Sequence, residues 1–260
     1  MSDTMNSPVH VSIKDRVAVV TLNHPKVNAQ TSELIEALTA AFDQFNDSDE
    51  VRAVVLTGAG KIFSAGADLK NRIKTGTEPG RRWARLRRVR ETFYAVMECE
   101  KPVIAAVNGP ALGAGLALAA SCDIMIASEN ANFGLPEIDV GLMGGARHAM
   151  SLFGRSLTRR MVLTGYRVPG PELYRLGIVE ECLPPDQLMP RAREMAEDIA
   201  NKSPHAIRLA KRTLGTIENL SLRDGYRFEQ NMTVDYSKHP DSRESMLGFI
   251  EKREERNFEG

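Results

Sequence analysis

The feature that most constrains the fold is a glycine-rich junction between a strand and a helix near the middle of the chain. An apolar run at 103–107 predicts a buried strand, and a Gly-Pro pair at 109–110 forces a turn directly after it. A Gly-Ala-Gly run at 113–115 then leads into a segment of helical composition. Such a junction presents backbone N–H groups without intrahelical partners at the positive end of a helix dipole. It predicts a place where a phosphate or an oxyanion binds.

Predicted strands and helices alternate along the first 150 residues, and helices predominate afterwards. Apolar runs predict strands at 9–13, 17–22, 51–57, 103–107 and 123–127. Helical periodicity predicts helices at 33–45, 80–99, 157–164, 186–202, 204–220, 221–237 and 240–251, and only 178–183 looks extended after residue 150. This order predicts an α/β core at 9–200, preceded by a flexible tail at 1–8 and followed by a helical C-terminal subdomain at 201–260.

Charge and cysteine content exclude several classes of protein. The chain has 34 basic and 34 acidic residues, which argues against binding to nucleic acid or a membrane by bulk charge. Six arginines between 81 and 90 are a local excess, but the absence of interleaved aromatic residues favours a solvated helix face. Three widely spaced cysteines suggest neither a disulfide framework nor a metal site. We recognise neither an apolar signal-peptide segment nor a transmembrane segment in this sequence, and we therefore expect a cytoplasmic protein.

Two glycine loops, at 61–70 and 109–115, are candidates for the anion site. Neither contains the GxGxxG run of a dinucleotide site or the GxxxxGK[ST] run of a P-loop. The alternative is that each loop contributes one backbone N–H to a single carbonyl oxygen. Such a pair would stabilise an enolate or a tetrahedral oxyanion.

Several motifs in the same order resemble the crotonase (enoyl-CoA hydratase/isomerase) superfamily over residues 9–258. They are Phe-Ser-Ala-Gly-Ala-Asp-Leu-Lys at 63–70, Lys-Pro-Val-Ile-Ala-Ala-Val-Asn-Gly-Pro-Ala-Leu-Gly-Ala-Gly at 101–115, Cys-Asp-Ile-Met-Ile-Ala at 122–127, Phe-Gly-Leu-Pro-Glu at 133–137 and Met-Val-Leu-Thr-Gly at 161–165. The resemblance implies a crotonase-like ββα spiral core and an acyl-CoA thioester substrate. It also implies a homotrimer or dimer of trimers, in which the helical subdomain forms contacts and covers the active site. No cofactor is expected, because the CoA belongs to the substrate.

The resemblance also assigns roles to individual residues. The backbone N–H groups of Ala67 and Ala114 would form the oxyanion hole, and Glu137 would be the acid/base. The residues expected near the CoA are Lys26, Ala65, Gly66, Ala67, Asp68, Leu69, Lys70 and Gly113, with Phe249 and Lys252 approaching the nucleotide of a neighbouring subunit.

One of the two glutamates that the family's hydratases use is missing. Its position holds Ala117, which neither orients water nor transfers a proton, while the second falls on Glu137. Asp139 is a candidate second acid, because an extended segment would place it on the same face as Glu137. His148 is another candidate, in a short segment that resembles ring-cleaving β-oxo-acyl-CoA hydrolases of the superfamily.

The leading hypothesis is an acyl-CoA enzyme of hydratase/isomerase type in which a backbone oxyanion hole stabilises a thioester enolate. A single carboxylate favours proton transfer between C2 and C4 over hydration. The alternatives are a hydrolase or lyase that cleaves a cyclic or β-oxo acyl-CoA, and a non-catalytic member that binds acyl-CoA or RNA.

Overall fold

A six-stranded sheet runs through the centre of the molecule, in the order β1-β2-β3-β4-β6-β9. The structure is a computed structural model that describes residues 7–74, 78–253 and Phe258. The strands are β1 (Val9–Lys14), β2 (Val17–Leu22), β3 (Ala53–Gly58), β4 (Val103–Val107), β5 (Ala111–Leu112), β6 (Ile124–Ser128), β7 (Asn132–Gly134), β8 (Arg167–Pro169) and β9 (Glu181–Leu183). The first two strands pair antiparallel, and every later pair in this sheet is parallel.

Helices cover the sheet and make up most of the second half of the chain. They are α1 (Ser32–Asn46), α2 (Leu69–Lys74), α3 (Arg81–Met97), α4 (Ala114–Ala119), α5 (Ala146–Leu152), α6 (Arg155–Thr164), α7 (Gly170–Arg175), α8 (Pro185–Ala200), α9 (Pro204–Ile217), α10 (Leu222–Ser237) and α11 (Pro240–Ile250), with a 3-10 helix at Pro136–Val140. The predicted order of an α/β core followed by helices is confirmed.

The central strands are buried on both faces, which explains their continuous apolar sequences. Val20 and Leu56 face a large core shared with α1, α3 and α4. Val19 and Val55 alternate with them and face a smaller core against α8. The sheet is therefore a rigid layer between two apolar layers, and its strand ends hold the loops that follow them.

A second sheet, in the order β5-β7-β8, lies beside the first. Two isolated parallel bridges continue it, from Ser64 to Ala111 and from Gln30 to Ala67. The segments that follow β2, β3 and β4 thus lie next to each other as extended backbone. This small sheet contains both predicted glycine loops.

The N-terminal and C-terminal boundaries of the core remain predictions. Residues 1–6 of the predicted tail lie outside the described residues, whereas Pro8 O accepts a hydrogen bond from Asn23 N at 2.7 Å. The predicted boundary between residues 200 and 201 falls between α8 and α9.

The predicted homotrimer or dimer of trimers stays a prediction. Two large apolar side chains on α11, Phe249 and Ile250, are 77% and 74% exposed in the single chain. Within the described part of the chain, no helix is long and apolar enough to cross a bilayer.

Candidate active site

The loops after β3 and β4 leave the same edge of the parallel sheet, where ligands bind in many α/β proteins. Asn108 joins them directly after β4. Its Nδ2 donates to Gly58 O at 2.8 Å and to Gly60 O at 2.9 Å, and its Oδ1 accepts from Gly58 N at 3.1 Å. This side chain fixes the start of one loop against the other.

Three extended segments lie side by side at this edge, and they comprise residues 27–30, 64–67 and 110–114. Ala65 N donates to Val27 O at 3.0 Å, which joins the first segment to the second. Leu112 N donates to Ser64 O at 2.9 Å, which joins the second to the third. The two glycine loops of the sequence are therefore neighbours in a hydrogen-bonded layer.

Gly66 brings the middle segment into direct contact with the start of α4. Its φ is +85°, and a Cβ atom here would lie 2.5 Å from Leu112 O and 3.0 Å from Ala114 N. A larger residue would push the two loops apart. Glycine is therefore required where the backbone of one loop meets the amide group of the other.

The directions of two amide groups follow from the hydrogen bonds of the carbonyl groups in the same peptide planes. Gly66 O accepts from Gln30 N at 2.8 Å, so the N–H of Ala67 points away from the first segment. Gly113 O accepts from Ala117 N at 3.1 Å within α4, so the N–H of Ala114 points out of the helix N-terminus.

The N–H groups of Ala67 and Ala114 are the two donors that the sequence singles out. Neither makes a hydrogen bond to any residue that the structure describes. Ala114 is absent from the residues with positive φ, so alanine fits this position without backbone strain. The geometry leaves two adjacent backbone donors available to an oxygen atom.

Glu137 lies against the same junction. It is in the 3-10 helix that follows β7, and a Cβ atom on Gly113 would lie 2.3 Å from its Oε1. The residue is half-buried, and its Oε2 is shielded from solvent. The structure therefore places a carboxylate beside the residue that precedes the Ala114 donor.

Asp139 does not lie on the same face as Glu137, because the segment that contains both residues is not extended. The prediction that the two carboxylates share a face is therefore wrong. The segment is a 3-10 helix rather than a strand, so two residues of separation turn the side chain to another side. Asp139 Oδ2 lies against Gly165, where a Cβ atom would approach it to 2.4 Å. Pro136 explains the difference, because its fixed φ favours the first position of a helix.

Ala117, at the position of the missing acid, belongs to the core. It is one turn into α4 and is 1% exposed. Its methyl group packs with apolar residues of the larger core. No carboxylate is contributed from this turn of the helix.

His148 lies on α5, whose first turn is next to the same junction. A Cβ atom on Gly145, the residue before α5, would lie 3.6 Å from Gly113 O. The imidazole of His148 contacts the Phe93 ring edge-on, with centroids 5.2 Å apart and an interplanar angle of 70°. Burial, together with the nearby charge of Arg147, lowers the pKa of His148 and favours the neutral imidazole.

The residues predicted to bind CoA fall into two groups. The structure places Lys26, Ala65, Gly66, Ala67, Asp68, Leu69, Lys70 and Gly113 in or beside the three segments, and Lys70 N donates to Asp68 Oδ1 at 3.0 Å at the start of α2. Phe249 lies on α11, which packs against α9 and α10, and Lys252 follows that helix. Their predicted approach to a neighbouring subunit remains a prediction.

Sequence reasoning missed two residues that organise the site, Gln30 and Asn108. Asn108 directly follows a strand and precedes a Gly-Pro turn, which is a recognisable turn signal. Gln30 carries no comparable signal, because its contacts join segments far apart in the sequence.

The described ranges contain no cluster of three or more His, Cys, Asp or Glu side chains that could hold a metal ion.

Comparison with known proteins identifies the fold class first. The solved structure of an enoyl-CoA hydratase from Bacillus anthracis superimposes with a TM-score of 0.91 and 32% identity, covering 97% of this chain and 99% of that one. A second solved structure, from Geobacillus kaustophilus, superimposes with a TM-score of 0.91 and 26% identity. It covers 99% of this chain and 98% of that one. The molecule is an α/β protein with the crotonase fold, as the sequence predicts.

The family follows from the sequence comparison. The model of the family "Enoyl-CoA hydratase/isomerase" matches residues 12–260, and the chain belongs to this family. A short-chain-enoyl-CoA hydratase of Clostridium acetobutylicum is 36% identical over 248 residues, covering 94% of both chains. A 2,3-dehydroadipyl-CoA hydratase of Escherichia coli is 34% identical over 252 residues, covering 95% of this chain and 97% of the relative.

Proposed function

We propose that the chain is an acyl-CoA enzyme of hydratase/isomerase type that stabilises a thioester enolate. The N–H groups of Ala67 and Ala114 bind the thioester oxygen, and Glu137 is the acid/base. The observation that carries this proposal is the pair of unused backbone donors with the Glu137 carboxylate beside them. One such donor contributes about 3–4 kcal/mol to stabilisation of the transition state.

The position of a single carboxylate favours proton transfer along the acyl chain. Glu137 takes a proton from C2 of a 3-enoyl thioester, and the electron pair of that C–H bond moves into the enolate held by the two amides. The same carboxyl group then returns the proton to C4, which gives the 2-enoyl thioester. Because Ala117 is buried and contributes no acid, α4 does not supply the second group that would orient water for hydration.

The CoA portion of the substrate would lie along the loops that carry the donors. Lys26 and Lys70 are exposed there and supply positive charge for phosphate groups.

Hydrolysis of a carbon–carbon bond in a cyclic or β-oxo acyl-CoA is the second candidate. The close approach of Gly145 to Gly113 favours it, since α5, the helix that carries His148, begins beside the loop of the Ala114 donor. In that reaction water would add to the β-oxo carbon, and cleavage of the bond between C2 and C3 would give a carboxylic acid and a thioester enolate. The amide pair would hold this enolate until C2 takes up a proton. The two candidates use the same donors and differ in the acyl group.

A substrate panel with the variant Glu137→Gln tests the proposal. The panel contains 3-enoyl, 2-enoyl and cyclic β-oxo CoA thioesters, and the expected wild-type reaction is isomerisation of the 3-enoyl thioester. In Glu137→Gln we expect kcat to fall about 10²- to 10⁴-fold with KM little changed, because a positioned acid/base contributes about that much. Glu129→Gln, at an exposed site after β6, is the matched control and should retain wild-type rates.

The remaining outcomes decide between the candidates. Cleavage of the β-oxo thioester without isomerisation would replace the proposal with the hydrolase. Efficient hydration of crotonyl-CoA by the wild type would contradict the argument from Ala117. Binding of every thioester without turnover would identify a non-catalytic member of the family.

A further inference from the structure

Gln30 makes hydrogen bonds to both loops that carry the proposed donors. Its backbone N–H donates to Gly66 O at 2.8 Å, and its side-chain Nε2 donates to Ala114 O at 2.9 Å. The residue is 7% exposed, so neither bond competes with bulk water. One residue of the first segment therefore contacts the middle segment through its backbone and the third segment through its side chain.

We infer that Gln30 is a positioning residue that fixes the separation and direction of the Ala67 and Ala114 donors. The inference rests on the proposed function, because it gives those two N–H groups a common target. It adds a specific cause for the separation of the two donors, since α4 by itself fixes only the direction of the Ala114 N–H.

The backbone bond sets the direction of the first donor. Gly66 C=O and Ala67 N–H belong to one planar trans peptide group, so they point in opposite directions. Holding the carbonyl group towards Gln30 N turns the N–H of Ala67 away from the first segment. Any side chain except proline at position 30 retains this bond.

The side-chain bond holds the second donor. Ala114 is the first residue of α4, and its carbonyl group lies in the peptide plane that continues the helix. The Gln30 side chain reaches this carbonyl group across the middle segment, so its length sets the spacing between the two loops. Without the amide group, the first turn of α4 would keep its contacts with Gly66 and Ser64 but would lose its hydrogen bond to the first segment.

The burial of the amide group supports a role beyond packing. Gln30 Oε1 is shielded from solvent and has no hydrogen-bond partner among the residues that the structure describes. Burying an amide oxygen in this way opposes folding, whereas an apolar side chain of similar size would fill the space without that cost. The amide orientation follows from Ala114 O, which is an acceptor and must face the NH₂ group.

The variant Gln30→Met separates positioning from packing. It keeps the length and the backbone N–H but removes the donor to Ala114 O, so the donors lose alignment while the CoA contacts remain. Loss of a whole oxyanion donor lowers kcat about 10²- to 10³-fold. We expect Gln30→Met to lower kcat about tenfold to 100-fold, with KM within threefold of the wild-type value.

A spectroscopic measurement reports the donors without turnover. An arylacryloyl-CoA thioester absorbs at longer wavelength when hydrogen bonds polarise its carbonyl group, and its bound spectrum therefore measures the donor pair directly. We expect a red shift with the wild type and with Glu137→Gln, and a smaller shift with Gln30→Met. Failure of Glu137 as acid/base would leave the spectral result intact, so the two proposals fail separately.

Two further variants keep the test decisive. Gln30→Glu preserves shape but presents an oxygen to Ala114 O, so it should reproduce the loss even if Gln30→Met folds poorly. Thr92→Val is the matched control, because Thr92 is 2% exposed and its hydroxyl donates to Arg88 O at 3.0 Å, away from both loops. Wild-type spectra and kcat in both Gln30 variants would overturn the inference. So would a loss no larger than that of Thr92→Val, or the absence of a red shift in the wild type.

Discussion

Gly113 combines a backbone conformation that favours glycine with close contact to the candidate acid/base. Its φ is +55° and its ψ is −118°, and Glu137 Oε1 occupies the space where a Cβ would lie. We expect Gly113→Ala to displace the carboxylate and to lower kcat about 10²-fold or more. Steady-state kinetics on the substrate identified by the panel measures the effect.

Gly141→Ala is the control for backbone strain. Gly141 has φ +68° and nothing within 4 Å of a Cβ position, so the variant carries a left-handed penalty of about 1–2 kcal/mol without crowding. Gly165→Ala has a similar φ of +66° but displaces Asp139. We expect both to retain kcat, and a loss confined to Gly165→Ala would identify Asp139 as the acid.

The positions of the two proposed backbone donors were easier to predict than those of the acidic side chains. Ala67 and Ala114 follow from the glycine loops and the family motifs, because a strand followed by a tight turn and a helix already fixes where an amide points. The face shared by Glu137 and Asp139 depended on whether three residues were extended, and Pro136 made them helical instead. The reach of Gln30 to Ala114 spans 84 residues of sequence, so no local pattern reports it.

The ends of elements with a long apolar pattern were predicted within three residues, and short elements were missed. The predicted helix at 33–45 is α1 (Ser32–Asn46), which Thr31 caps by accepting from Leu34 N. In contrast, β5, β7 and β8 contain two or three residues each, too few to show a period. They are strands because neighbouring segments supply hydrogen bonds, and that information is tertiary.

At the level of elements, Lys211 attaches α9 to the sheet. Its Nζ donates to Asp123 Oδ2 at 2.8 Å and to Lys101 O at 3.0 Å, and its side chain is 8% exposed. Asp123 Oδ2 also accepts a hydrogen bond at 2.7 Å from the backbone N–H of Val103, the first residue of β4. We expect Lys211→Met to lower the free energy of unfolding by about 1–3 kcal/mol, measured by urea denaturation, because it leaves a partly buried carboxylate without its cation.

Arg208, one turn earlier on α9, gives a matched comparison. It pairs with Glu100 at 3.6 Å, and the two side chains are 40% and 51% exposed. Arg208→Met should change the free energy of unfolding by less than about 1 kcal/mol, since solvent screens exposed pairs. Equal effects of the two variants would show that Lys211 does not anchor the helix.

At the scale of the whole molecule, we expect two histidines to make the stability of the chain depend on pH. His205, at the start of α9, stacks on His239 with centroids 4.0 Å apart and an interplanar angle of 8°. Burial lowers the pKa of His205, and the nearby charges of His239 and Arg208 lower it further, against an opposing effect of Asp241. The pKa of His148 is also lowered, mainly by burial. Both rings therefore favour the neutral form in the folded chain.

A lowered histidine pKa fixes the sign of the pH effect. Above about pH 7 both rings are neutral in the folded and unfolded chains, so they do not make stability depend on pH. As the pH falls through about 6.5, the unfolded chain binds protons that the folded chain does not, which favours unfolding. We expect the Tm to fall between pH 7.5 and 5.5, measured by circular dichroism at constant ionic strength. This window lies above the range in which the carboxylates with lowered pKa values, Glu33 and Glu172, begin to protonate.

The double variant His148→Gln/His205→Gln tests whether these two rings cause the slope. Glutamine does not titrate, so the double variant should lose less Tm than the wild type over the same interval. Its Tm at pH 8, where the wild-type rings are neutral, is the internal reference for packing lost with the imidazoles. A wild-type Tm that is constant or rises towards pH 5.5 would contradict the assigned direction. An unchanged slope in the double variant would assign the proton uptake to other groups.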